Sequence, residues 1–128
     1  MEVFMFTETF KNVLKHEGVV SITSWSEETV HVTCTWNSFL VLKGDNRILL
    51  PVAGMHSTEG DLAKNPNLIL TLGARQVEGR NGYQGTGFRV SGLGQLLNEG
   101  DTFEEMNKKF PFIRSVLEVT VTEAKQLL

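Results

Sequence analysis

The chain combines short apolar runs, one cleanly alternating stretch at 29–37, and three stretches that read as helices. The first is residues 7–17: Phe6, Phe10, Val13 and Leu14 fall at i, i+4, i+7 and i+8, and Gly18 stands where a helix would be capped. Residues 19–25 (VVSITSW) read as a strand and 26–28 as a turn. Residues 29–37 alternate cleanly, with Val30, Val32, Cys34 and Trp36 on one face and His31, Thr33, Thr35 and Asn37 on the other. The apolar set is the natural core face, which makes Cys34 a small core residue and Trp36 a core candidate.

Two short apolar runs, 39–43 and 47–52, flank Gly44-Asp45-Asn46, a hairpin signal. The second run stops at Ala53-Gly54, and the spacing predicts a helix over 58–64, with Pro66 beyond its end. Thr58 with Asp61 reads as a capping-box variant, with Ser57 as a rival N-cap. A strand, a glycine turn and a helix start gather unpaired backbone N–H groups, an arrangement suited to phosphate. Neither common nucleotide-binding glycine fingerprint is present, and most such junctions bind nothing.

Residues 67–73 form a near-continuous apolar strand that extends through Val77. The segment 79–87 (GRNGYQGTG) reads as a glycine-dense loop, and 88–97 as a strand bent at Gly92 and Gly94. Asp101 with Glu104 is expected to cap a third helix ended by Pro111; 116–122 is the last strand and 123–128 a short polar tail. Strands joined mostly by short turns, with helices between them, indicate an α+β, mainly β fold: a six- to seven-stranded antiparallel split β-barrel with short flanking helices.

Composition narrows the function classes. The 128 residues are expected to form one domain, with 41% hydrophobic and 21% charged residues. A net charge of -3 argues against nucleic acid as the main partner. Cys34 is the sole cysteine, so no intrachain disulfide can form, and a reducing compartment is the simpler expectation. The start lacks a basic leader region and no apolar run reaches membrane-span length, so a soluble cytoplasmic protein with no membrane association is expected.

Few residues suggest chemistry by themselves. His16, His31 and His56 share no metal-ligand spacing, and no catalytic dyad or triad stands out. Ser57 and Thr58 read first as caps. In GRNGYQGTG, the glycines, Arg80, Asn81 and nearby Arg75 make a flexible, donor-rich segment. A ligand-approaching loop and a long surface hairpin both account for it.

Three stretches in order, VHVTCTWNSFLVL, RILLPVAGMHSTEGDL and LGARQVEGRNGYQGTGF, resemble the FMN-binding split-barrel family, which holds small bacterial FMN-binding proteins and the pyridoxamine 5'-phosphate oxidases. The resemblance implies FMN at the interface of a homodimer and a role as a flavin electron carrier or small oxidoreductase with an unidentified redox partner. It places Thr35, Trp36 and Asn37 along the isoalloxazine, and Pro51, Val52, Gly54, Met55 and His56 as the wall and approach loop. Ser57 and Thr58 would hold the phosphate, and the loop with Arg80, Asn81 and Gly82 would close over the flavin. Phe112 would lie near the ring, as would the partner subunit's Leu128. Ser57 stands where the family has lysine, and Phe112 where it has tryptophan. Alternatives are a pyridoxamine 5'-phosphate oxidase-like enzyme, although the ending VTVTEAKQLL lacks that group's substrate-holding segment, or a ligand-free or haem-binding split-barrel dimer.

Overall fold

A computed structural model describes residues 5–128. Seven strands form one antiparallel sheet in the order β2-β1-β5-β6-β7-β4-β3, with α1 and α2 against the barrel and α3 outside it. The strands are β1 (Val19–Ser26), β2 (Thr29–Trp36), β3 (Val41–Lys43), β4 (Arg47–Val52), β5 (Asn67–Glu78), β6 (Gln84–Leu97) and β7 (Ser115–Gln126). The helices are α1 (Glu8–Val13), α2 (His56–Leu62) and α3 (Asp101–Lys109). The expected split barrel is the fold observed.

Period-two patterning builds the interior. Ile22, Ile48, Leu50, Leu68, Leu70, Val90 and Leu117 are fully or almost fully buried and point to one core. Phe10 of α1 closes it, with ring centroids 5.2 Å from Phe6 and 5.1 Å from Phe88. The opposite face of β4 and β7 gives Leu49 and Val116 to a smaller cluster under α3, with Met106 and Phe110.

Several expectations about local structure are corrected. The first helix is shorter than 7–17: Thr7 caps it by accepting from the Phe10 amide (3.2 Å), and it ends with Leu14 as C-cap, not Gly18. Gly18 is needed for close packing, since a Cβ there would lie 3.0 Å from both Asn37 Nδ2 and the Gly73 carbonyl. The third helix is capped by Gly100 at φ 97°, with no side-chain cap bond. Asp101 and Glu104 sit inside its first turn, where their charge still favours the helix dipole. The glycine-dense loop shrinks to a tight turn over Arg80–Gly82, because β6 already begins at Gln84. The polar tail from residue 123 is strand instead: Glu123 to Gln126 pair with Ser91 to Phe88 on β6.

The largest correction concerns β2. Its apolar face points outward: Val30 and Val32 are 62% and 67% exposed, Trp36 is 46% exposed, and Cys34 is exposed. The polar face turns inward, with Thr35 and Asn37 buried. β2 lies at the sheet edge and, among the described residues, pairs with β1 alone, while the apolar core is built from residues of other elements.

Candidate functional site

The junction after β4 shapes a cleft. Residues 54–58 line a cavity of about 450 Å³ together with residues 30–33 of β2. Helix α2 starts at His56, two residues before the expected Thr58, and has no side-chain cap. Thr58 is therefore not an N-cap. It lies buried in the first turn of α2, and Asp61 follows one turn later on the same inward face. The spacing that suggested a capping box instead aims both residues at the barrel.

Asp61 is 2% exposed and gathers three donors. Ser24 Oγ donates to Oδ2 (2.8 Å), Ser26 Oγ to Oδ1 (2.9 Å), and His31 Nδ1 to Oδ2 (2.7 Å). Burial works against the charged carboxylate, yet the hydrogen bonds from His31, Ser24 and Ser26, with attraction to the His31 ring, outweigh it and hold the carboxyl below the usual carboxylate range. The stabilisation is thus complete above that range and drains away as pH falls through the folded-state value, because the unfolded chain takes up the proton first. Asp61→Asn should flatten the acid limb of stability against pH in urea melts; an unchanged slope would show that another group is linked.

His31 and Asp61 did not stand out as site residues in the sequence. The available signal was His31's place on the polar face of β2, which becomes meaningful only once that face turns inward.

The other expected residues fall in separate places. Pro51 and Val52 are buried at the end of β4, directly before the cleft loop. Asn37 is fully buried and ties three segments together, its Nδ2 donating to the His16 (2.9 Å) and Gly73 (3.1 Å) carbonyls while its amide donates to that of Gly18 (2.9 Å). Thr35 is buried beside it, and Trp36 between them faces out.

Leu128 lines a second cleft, of about 390 Å³, with Glu17, Arg75, Tyr83 and Thr86. Its carbonyl accepts from Thr86 Oγ1 and Gln126 Nε2, both at 2.9 Å. Ser38 donates to the Glu17 carboxylate through its hydroxyl (2.7 Å) and its amide (3.1 Å), which holds that carboxyl below its ordinary value. The Arg80–Gly82 turn adjoins the chain end through Gly79, where a Cβ would meet the Gly85 carbonyl at 2.5 Å and Leu128 at 3.0 Å. Asn81 and Gly82 both adopt positive φ there. Phe112 is 55% exposed at the rim of an aromatic cluster, 5.8 Å from Phe39 and 6.1 Å from Phe110 between ring centroids.

Comparison with known proteins places this geometry. The family model described as pyridoxamine 5'-phosphate oxidase matches residues 6–128. A protein of Nitratidesulfovibrio vulgaris, strain Miyazaki F, named FMN-binding protein, is 44% identical over 124 residues, covering 97% of this chain and all of that one. Among solved structures, HupZ of Group A Streptococcus superposes with a TM-score of 0.79 at 14% identity, covering 96% of this chain and 94% of that one. An FMN-binding protein from Syntrophomonas wolfei gives a TM-score of 0.66 at 16% identity, covering 85% and 76%. At those two identities the likeness is one of fold. With the family model spanning nearly the whole chain and a full-length relative at 44% identity, the chain belongs to the pyridoxamine 5'-phosphate oxidase-like family of split barrels.

Proposed function

We propose that this protein is an FMN-binding flavoprotein, acting as an electron carrier or small oxidoreductase, with the flavin at the seam of a homodimer. The observation that carries the reading is the full-length relative named FMN-binding protein. The cleft supports it: residues 54–58, the segment expected around the phosphate, come together with polar side chains of β2. Its donor set suits a phosphate, since Ser57 and Thr58 offer hydroxyls and the first amides of α2 have no side-chain cap.

Bound flavin supplies hydride or single-electron chemistry. The chain's own residues bind and shield it. Ser57 and Thr58 hold the phosphate, the loop from Ala53 to Met55 bounds the approach, and the exposed rings of Trp36 and Phe112 are free to cover apolar ligand surface. A second copy accounts for two features that one chain leaves unexplained. The expected residues divide between separate surfaces, and Val19, Val30, Val32 and Trp36 present an apolar face to solvent.

The test is the absorption spectrum of freshly purified protein, followed by titration with FMN. Flavin bands, or quenching of flavin fluorescence on titration, are expected. A Soret band would replace this reading with haem binding, and a colourless protein that does not bind FMN would leave a ligand-free barrel. Formation of pyridoxal phosphate with peroxide would convert the electron carrier into an oxidase.

Ser57→Lys offers a finer measurement. An ammonium in place of a neutral hydroxyl should tighten FMN by about tenfold, while riboflavin, which lacks the phosphate, gains little. Equal gains for both ligands would move the phosphate away from this position.

A further inference from the structure

We infer that His31 is the counter-charge for a phosphate monoester in the cleft between β2 and α2, so that affinity for the phosphorylated ligand depends on the protonation of this one imidazole. The inference rests on the phosphate placement proposed above and goes further by assigning its charge partner.

Among the described residues no lysine or arginine lines the cleft, and the ionisable side chains that do are His31 and His56. A phosphate dianion met by neutral hydroxyls alone would lose hydration without gaining a charged partner. Of the two imidazoles, His31 is the one held in place. Its Nδ1 donates to buried Asp61 at 2.7 Å, and its side chain is 36% exposed. Asp61 is fixed in turn by Ser24 and Ser26, so the ring has one orientation imposed from below. Among the described residues Nε2 has no hydrogen-bond partner, and the ring lines the cleft. A proton there makes Nε2–H a charged donor to a phosphate oxygen. His56, by contrast, is 78% exposed and lies 3.9 Å from Glu59.

The surrounding charges leave this role to His31. On α2, Asp61 holds Nδ1, and Glu59 is paired with Arg114 through contacts of 2.6 and 2.7 Å. The β1 side presents only the hydroxyls of Ser24 and Ser26, and Glu27 in the following turn lies 3.5 Å from Lys64. Among the described residues, His56 is the one other side chain lining the cleft that could carry positive charge.

The sign follows by linkage. Since the protonated ring binds phosphate more tightly in this reading, raising the pH until the ring loses its proton removes the extra affinity, and bound phosphate favours the protonated ring. The ligand's own phosphate titrates in the opposite sense, but that contribution is common to parent and variant and cancels in their ratio.

His31→Asn keeps a donor close to Nδ1 and removes the far end of the ring. Parent and variant are titrated with FMN and with riboflavin between about pH 6 and pH 8.5. The parent is expected to bind FMN about tenfold more tightly than the variant at the acid end and within about twofold at the alkaline end, with riboflavin unaffected throughout. His56→Asn is expected to leave the pH dependence in place. Imidazole NMR of the parent protein needs no variant to fold: the His31 titration midpoint should rise on adding FMN and stay put on adding riboflavin. A parent-to-variant ratio that is flat with pH, a dependence that vanishes with His56→Asn, or a His31 midpoint unmoved by FMN would each overturn the inference. A parent protein that binds neither flavin overturns the flavoprotein reading itself. That result is distinct from FMN binding that ignores His31.

Discussion

Val32→Asp is expected to turn the proposed dimer into a folded monomer, raising its dissociation constant by roughly a hundredfold or more. Val32 is 67% exposed in the middle of β2, flanked by exposed Val30 and Trp36 on the same face. Val19, which pairs with Trp36 across the β1–β2 ladder, extends that face and is 54% exposed. Against a second copy this stripe would be buried, and a two-fold axis would place two unpaired carboxylates in the seam. Each costs several kcal/mol in apolar surroundings unless it is paired. In the monomer the same carboxylate points into water, so the barrel should fold unchanged. Sedimentation across a range of concentrations reads the result, and a variant that dimerises as tightly as the parent would place the seam elsewhere. Val32 also lines the cleft, so its substitution acts on FMN directly as well as through the seam. Val19 lines neither cleft, and Val19→Asp tests whether FMN affinity falls with the dimer.

Phe10→Ala is expected to cost ~3–5 kcal/mol of folding free energy. Phe10 is wholly buried; it packs on Phe6 just ahead of α1 and joins the helix to the barrel through an edge-on contact with Phe88 of β6. Truncation removes apolar burial and leaves a cavity that the packed neighbours can fill only in part. Since a domain of this size is stable by only ~5–15 kcal/mol, the loss would be a large fraction of the total. α1 packs on β5 and β6, which also carry Arg75 and Thr86 of the second cleft, so loosening should reach the chain end held by Thr86. Urea denaturation measures the first effect, and amide exchange at Leu127, whose N–H donates to the Gly87 carbonyl at 2.8 Å, reports the second. A loss below about 1 kcal/mol would mean that the helix contributes little to holding the barrel closed.

Much of the barrel was legible in the sequence because its strands are short apolar runs bounded by turn residues, and residues two apart on a strand are buried together. Ile48, Leu50 and Val52 on β4, and Leu68, Leu70 and Leu72 on β5, alternate with less apolar or differently packed neighbours, and the structure buries all six. The hairpin at Gly44 was legible for a related reason, since its φ of 63° belongs to a residue without a Cβ. The strand–turn–helix junction lies where the sequence puts it, while α2 begins at His56, two residues before the Thr58 that the cap pattern indicates. Thr58 and Asp61 fit a cap by residue type, and only packing shows that they face the barrel.

The sequence by itself determined the order of the elements, the antiparallel barrel class and which residues of each strand share a face. These follow from local rules: period two on a strand, period 3.6 on a helix, and the few residues that tolerate a turn. Tertiary structure decided which of two faces is inside. On β2 the alternation was read correctly and assigned to the wrong side, because an edge strand over a filled barrel has no apolar partner within one chain. The same turn of β2 brings His31 onto Asp61, thirty residues away in the chain, and makes the cleft beside α2 partly ionic. The tail was decided the same way. Its side chains stay largely in water, Glu123 and Lys125 being exposed, and what β6 supplies is backbone partners along Phe88 to Ser91, which a reading of side-chain polarity does not reveal.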